Sequence, residues 1–404
     1  MTPFLKKLLA GGKPAIDTRA DGDADASVSA SAYIWQNADW VKGLAWQKDA
    51  LAEALTETES AHKALHARIH AEISAIQDDI LLRGLTAEGV ATLWLADGKT
   101  DPQQLRGALM GELGVHGDGR GGRVAATPRI EYLARVLVDM VRNLDVAVSH
   151  DRLDTWHALL VRGEGEARRQ DDKPLRIALP MPMTQADKDK DKDKAVEFTY
   201  QPPPLASLAD LPHMVQDLLV RDDSYLIKAG LLHLLLVTLR VYADGNGRVA
   251  RLAANAILLQ GVHDKTSACF FSVAGEMERQ ATSYYQQLHA AQSGGLDVTA
   301  WLRWWLGCVG EAIRQMDEVV AAAQFKHRFW QRFAKAPFNP RQAKMLVRLL
   351  DGFDDVVSTQ NWARLTKCGH DTAYHDISGL VGDGILKRAP TDGRGICYQL
   401  VQEA

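Results

Sequence analysis

The chain has 404 residues, 46% of them hydrophobic, and a formal net charge of −4. Such a length holds two or three domains with ample core, and the balance is that of an ordinary soluble globular protein, with no basic bias toward nucleic acid and no acidic tail. The four cysteines, Cys269, Cys308, Cys368 and Cys397, stand far apart without a CxxC pair, which reads as free, mostly buried thiols in a reducing compartment and supports no zinc site.

Phe4 to Leu9 carries two lysines and lacks a full apolar core, which argues against a signal peptide, and no run approaches the roughly 20 apolar residues that span a bilayer. A cytoplasmic location without membrane contact is expected. Asp17 to Ser31 is rich in Asp, Ala, Ser and Gly, so residues 1–31 read as a disordered leader. Order begins at Tyr33-Ile-Trp-Gln36, amid a cluster of Trp35, Trp40 and Trp46. From Trp46 to about Leu82 neither Gly nor Pro occurs, and Leu51, Ala54, Leu55, Leu65 and Ile69 share a face, which predicts one or two amphipathic helices. His62, His66 and His70 recur every fourth residue, a spacing better suited to a partly exposed helix face than to a metal.

Asp101-Pro102 is an N-cap followed by Pro and opens a helix over Gln103 to Leu113. A Gly-rich loop covers Val115 to Gly122. Ile130 to Val146 and Arg152 to Leu160 are helical, the second carrying Trp156-His157, where His157 reads as a hydrogen-bonded core residue. Leu175 to Met183 and Val196 to Tyr200 are β-prone and flank the alternating charges Asp187 to Lys194, which gives a hairpin with a solvated tip, closed by Pro202-Pro203-Pro204. Helices follow at Leu211 to Val220 and Ser224 to Leu239, the second apolar almost all round. Three more run over 248–260, 275–292 and 297–323, the last capped by Asp297 or Thr299. Short helices at 341–350, 359–366 and 371–381 with strands at 385–388 and 396–400 make a winged helix-turn-helix pattern. From 337 to 404 eight Lys and Arg are balanced by eight Asp and Glu, so phosphate neutralisation is not its evident role and protein contact is as well supported.

Between two helices lies Asp244-Gly245-Asn246-Gly247-Arg248. The glycines allow successive N–H groups to turn inward as an anion-binding nest, and a helix beginning at Arg248 adds its dipole to that nest. Asp244 is a hard oxygen ligand suited to Mg²⁺, and Arg248 and Arg251 lie one turn apart. A plain helix–loop–helix turn with a solvated ion pair is the competing reading of such a pentapeptide.

The stretch from His233 through Arg251 resembles the Fic (Fido) signature, His-x-Phe-x-Asp/Glu-Gly-Asn-Gly/Lys-Arg-x-x-Arg. Ordered matches extend along the chain: Tyr33-Ile-Trp-Gln, Trp156-His157, Glu278-Arg279, Tyr284-Tyr285, Asp297-Val-Thr-Ala-Trp301, Asn339-Pro-Arg-Gln342 and Asp371-Thr-Ala. The resemblance implies a mostly α fold: a Fic helical core with a β-hairpin flap, an N-terminal helical domain and a C-terminal winged helix-turn-helix, of bacterial type. The expected division is 1–31 leader, 32–125 helical domain, 126–325 Fic domain with its flap at about 163–204, and 326–404 winged domain. It also implies transfer of AMP from ATP to a target hydroxyl, with ATP and Mg²⁺ as cofactors. Asp244 would hold the metal, Gly245, Asn246 and Gly247 the α/β-phosphates, and Arg248 and Arg251 the remaining phosphate charge. Tyr242 stands where the family usually has Phe. A target protein on the flap, a homodimer and DNA are the partner classes left open.

Two departures bear on activity. Arg240 occupies the general-base His position, and a guanidinium has five donors, no acceptor and a pKa above about 12. It either pairs with Asp244 and displaces the metal or adds a phosphate clamp. The family's inhibitory Ser/Thr-x-x-x-Glu-Gly/Asn helix aligns with Thr92 to Asp97, where Ala96 replaces Glu and Asp97 replaces Gly or Asn; a one-residue slip makes Asp97 a shortened substitute. The flap's Gly-x-x-Arg is Lys173-Pro-Leu-Arg176. Three readings follow: a Fic-fold pseudoenzyme that keeps its phosphate loop, a transferase of altered mechanism, and a winged-helix interaction protein with the Fic domain as scaffold.

Overall fold

The most apolar run of the sequence, Tyr225–Leu239, becomes the central helix of the computed structural model, with Leu226, Leu231, Leu232, Leu234, Leu235 and Leu239 fully buried. The structure describes residues 33–96, 100–115, 125–161, 175–180, 195–261, 269–352, 356–390 and 396–401, with backbone alone for 175–180 and 195–199. The expected leader and the charged hairpin tip therefore lie outside the described residues.

Helices α1 (Trp40–Gly43), α2 (Lys48–His70), α3 (Ser74–Ala96), α4 (Pro102–Leu113), α5 (Pro128–Arg142) and α6 (His150–Leu160) precede the hairpin of β1 (Leu175–Pro180) and β2 (Ala195–Tyr200). These strands are antiparallel, in register from Leu175↔Tyr200 to Pro180↔Ala195. The chain continues as α7 (Leu211–Leu219), the central α8 (Tyr225–Leu239), α9 (Asn246–Gln260), α10 (Val273–Arg279), α11 (Ala281–Gln292), α12 (Thr299–Arg314) and α13 (Met316–Arg332). Last come α14 (Pro340–Leu350), β3 (Val357–Ser358), α15 (Thr359–Thr366), α16 (His370–Gly382), β4 (Leu386–Arg388) and β5 (Cys397–Leu400), the strands ordered β3-β5-β4. No described helix is long and apolar enough to cross a membrane.

Among the sequence-based boundaries that differ from these, three do so for an evident local reason, and the helix expected over Ile130 to Val146 instead ends at Arg142 because Asn143 leaves helical geometry at φ −108°, ψ 53°. The run at 275–292 is two helices, because Gln280 leaves helical geometry at φ −109°, ψ 32°. The run at 297–323 divides at Gln315, where ψ falls to −17° and the turn tightens toward 3₁₀ form, and the second helix continues to Arg332. The helix after the glycine loop starts at Asn246 rather than Arg248, since Gly245 itself caps it.

Caps follow side-chain chemistry. Asp101 accepts from the Gln103 amide at 2.9 Å and Ser224 from Leu226. Helix α12, by contrast, is capped at Val298 without a side-chain bond. Neither Asp297, which lies just before that cap and accepts from the Thr299 amide at 2.9 Å, nor Thr299 is its cap. Between α8 and α12 the helices touch so closely that a Cβ on Gly230 would sit 2.7 Å from the Trp305 ring. The Trp301 and Trp305 indoles donate to the carbonyls of Gly230 and Leu226, both at 2.9 Å, so neither buried N–H is left unpaired.

Hydrophobic residues form two clusters, one from Ile34 to Ala323 and one from Phe329 to Tyr398. A charged network joins them. Asp79 of α3 accepts from Arg83 at 2.8 Å, Arg106 at 2.5 Å and Lys326 at 2.9 Å, and Asp351 at the end of α14 takes Lys326 at 2.6 Å and Arg106 at 3.3 Å. Arg83 also donates to the Leu350 carbonyl at 2.6 Å. Burial by itself raises the Asp79 carboxyl, but the three cations outweigh it and hold the group well below the usual carboxylate range.

Candidate functional site

The site is built where α8 ends and α9 begins. Arg240 terminates α8 in the left-handed region, φ 48° and ψ 58°, with its amide still donating to Leu236. That backbone costs a non-glycine residue about 1–2 kcal/mol, and it is adopted more often by His than by Arg. Four residues on, the loop is fixed from within. Asn246 accepts from the Tyr242 amide at 2.9 Å and donates to the Tyr242 carbonyl at 2.7 Å, so one carboxamide closes the turn in both directions. Gly245 caps α9 at φ 82°, and a Cβ there would lie 3.1 Å from Val161, so both the angle and the space require glycine. Asn246, Gly247 and Arg248 form the first turn of α9, whose leading N–H groups have no intrahelical partner.

Charge is arranged around that helix end. Arg248, with 2% of its side chain exposed, donates to Asp244 Oδ2 at 2.8 Å and to the Leu160 carbonyl at 3.2 Å. Asp244 is 70% exposed. The ion pair that Asp244 forms in the structure is thus with Arg248. The second arginine, Arg251, is buried and donates to Thr92 twice, to Oγ1 at 3.2 Å and to the carbonyl at 3.0 Å. Thr92 sits near the end of α3, Ala96 closes that helix half-buried, and Asp97 lies outside the described residues. Ala96 has no side-chain acceptor to offer an arginine; the contact to Arg251 comes from Thr92, four residues earlier. Thr92→Val keeps the shape and removes the Oγ1 acceptor from a buried cation, with an expected loss of about 1–3 kcal/mol in urea unfolding.

Sequence reasoning missed two members of the site. Glu88, fully buried on α3, accepts from Asn255 at 2.7 Å, Ser272 at 3.0 Å and the Ala274 amide at 3.0 Å. Burial raises its pKa, and the donors with Arg251 offset this only in part. A carboxylate within the apolar run Ile80 to Leu95 was the available signal. The other is the face of α6. Asp154 accepts from the Tyr242 hydroxyl at 2.8 Å, and His157 Nε2 donates to the Asp244 carbonyl at 2.9 Å while its ring stacks on Tyr242 at 3.8 Å and 5°. His157 is buried, as its place beside Trp156 suggested, yet it grips the loop. His233 is also buried, hydrogen-bonded to Tyr284 at 2.9 Å, and burial pushes its pKa down to about 3.

Asp244 fits a Mg²⁺ ion only as a single protein ligand with its remaining oxygen. Magnesium accepts such a site when phosphates and water supply the other positions. Among the described residues no group of three or more His, Cys, Asp or Glu is gathered to hold a metal. The hairpin backbone stands at β1 and β2, Arg176 lies on β1, and Lys173 is outside the described residues.

The family model "Fic/DOC family" matches residues 147–258, from the start of α6 through α9. No curated protein matches. Among solved structures, a Fic family protein from Desulfovibrio desulfuricans is 15% identical, with 88% of this chain and 97% of that chain covered and a TM-score of 0.49. Fic-1 (aa134–508) from C. elegans is 17% identical, covering 67% and 74%, with a TM-score of 0.43. A Fic domain containing signaling protein from Bacteroides thetaiotaomicron is 12% identical, covering 66% and 97%, with a TM-score of 0.42. With the glycine loop, its two arginines and the α6 face all inside the matched segment, residues 147–258 are a Fic/DOC family domain.

Proposed function

We propose that this Fic/DOC domain keeps a cradle for the phosphates of a nucleotide but is impaired as a protein AMP-transferase, the activity for which the family is known. The observation that carries this reading is Arg240 at the general-base position, four residues before Asp244 and held in the left-handed cap of α8. AMP transfer needs a target hydroxyl to lose its proton as its oxygen bonds to the α-phosphorus and pyrophosphate leaves. Arginine cannot take that proton. The imidazoles of His157 and His233 do not replace it, since His157 donates its Nε2 proton to the loop and His233, on α8 itself, is buried against Tyr284.

Binding falls to Gly245, Asn246 and Gly247 at the α9 N-terminus, with Arg248 and Arg251 as cations and Asp244 as the residue for Mg²⁺. A bound Mg²⁺ would neutralise phosphate charge. Because Arg248 is committed to Asp244 and Arg251 to Thr92, a phosphate chain must compete for both, and affinity for Mg-ATP is expected in the high micromolar to millimolar range. Calorimetry with Mg-ATP tests this: absence of heat at millimolar nucleotide leaves the Fic domain as scaffold. Transfer of label from α-³²P-ATP tests the impairment, with a silent wild type expected.

The divisions at residues 32–125, 126–325 and 326–404 are part of this reading, supported by the separate hydrophobic cluster that begins at Phe329. For the winged unit we favour contact with protein over DNA. Its α16 carries no Lys or Arg and exposes Tyr374 at 51%.

A further inference from the structure

Helix α6 presents one face to the glycine loop, from Asp154 through His157 to the Leu160 carbonyl and Val161. Of these contacts only that of His157 falls on the backbone of the loop itself, at the Asp244 carbonyl. The peptide joining Asp244 to Gly245 is planar and trans, as are all described peptides here. In a trans peptide the C=O and N–H point in opposite directions. Whatever captures the Asp244 carbonyl therefore also sets the direction of the Gly245 N–H.

We propose that His157 is the positioning residue of the loop: by donating from Nε2 to the Asp244 carbonyl it turns the Gly245 N–H away from α6 and pre-forms the first donor of the anion nest. The inference rests on reading the loop as a phosphate cradle. Its chemistry is internally consistent. A carbonyl only accepts, so the proton must be on Nε2. Burial lowers the His157 pKa, with Arg248 adding to the effect and the Asp244 carbonyl, Asp154 and the Asp244 charge opposing it. Stacking on Tyr242 at 3.8 Å fixes the ring plane, and the Tyr242 hydroxyl is tethered in turn to Asp154 at 2.8 Å. The ring also closes the space beside Gly245, where a Cβ would lie 3.4 Å from His157 Cδ2.

Two substitutions separate the donor from the ring. His157→Phe keeps a flat ring against Tyr242 and removes the N–H; His157→Gln removes the ring but keeps an N–H at similar reach. Two readouts are taken on the full chain. In glycine-selective ¹⁵N labelling, the residual dipolar coupling of the Gly245 amide is expected to change in His157→Phe and to return toward wild type in His157→Gln. In calorimetry, Mg-ATP affinity is expected to weaken about tenfold in His157→Phe, the worth of one well-aligned hydrogen bond, and to recover most of that loss in His157→Gln. A Gly245 amide of unchanged orientation in folded His157→Phe overturns the proposal. So does a loss equal in both variants, which would assign His157 a packing role alone. If wild type binds no Mg-ATP, the nucleotide reading fails while the Gly245 coupling still decides the positioning. Should His157→Phe not fold, His157→Asn, too short to reach the carbonyl, takes its place in both measurements.

Discussion

Arg240→His is expected to raise labelled AMP transfer, to the protein itself or a co-incubated target, about 10²- to 10⁴-fold above the wild-type background, the usual worth of a positioned general base. Neutral imidazole takes the hydroxyl proton as the new P–O bond forms and pyrophosphate departs. Folding should not confound the comparison. Position 240 lies in the left-handed region at φ 48°, which His occupies more readily than Arg, and the loop beyond it is closed by Asn246 on Tyr242 independently of residue 240. Unfolding midpoints of the two proteins should therefore agree closely. Label in wild type equal to that in Arg240→His would remove the impairment reading. No gain in a variant that still binds Mg-ATP would show that the defect lies beyond the base.

Asp79→Asn is expected to cost the most in stability, about 3–5 kcal/mol, the range for breaking a buried ion pair. Asp79 faces the buried Arg106 and the half-buried Arg83 and Lys326, and without its charge these three cations share the single carboxylate of Asp351. Denaturant unfolding at pH 7 measures the loss. The pH dependence gives a second check. Because the folded Asp79 pKa is depressed, its contribution is complete above the unfolded carboxylate pKa near 4 and disappears as pH falls below it. Wild type should lose stability across that acidic range more steeply than Asp79→Asn. Equal slopes would mean that other carboxylates govern acid unfolding.

Much of the local structure was legible in the sequence because its causes are local. The apolar run of α8, the Asp101-Pro102 start of α4 and the hairpin around alternating charge all follow from composition and spacing. The position of the loop was legible too, since Gly245 marks the turn whatever packs against it, though Gly247 proves to be helical. Pairing across the chain was not. Arg251 meets Thr92 across 159 positions, and His157 meets Asp244 across 87. Nothing in either local pattern encodes the other, and a spacing that places Arg248 and Arg251 one turn apart cannot reveal that both are already engaged. The split of 275–292 at Gln280 was hidden for a related reason: neither Gly nor Pro marks it, and the Gln280 carboxamide bonds back to Glu276.

Helix α3 carries two attachments on one rigid rod. Asp79 and Arg83 tie its first half to the cluster beginning at Phe329, and Thr92 near its end holds Arg251. The thirteen residue steps from Asp79 to Thr92 span about 20 Å of helix. A tilt of about 3° pivoting at the Asp79 end carries Thr92 through about 1 Å, comparable to the slack of a hydrogen bond. The cluster beginning at Phe329 and the buried guanidinium of Arg251 are thus attached to the same rigid helix about 20 Å apart.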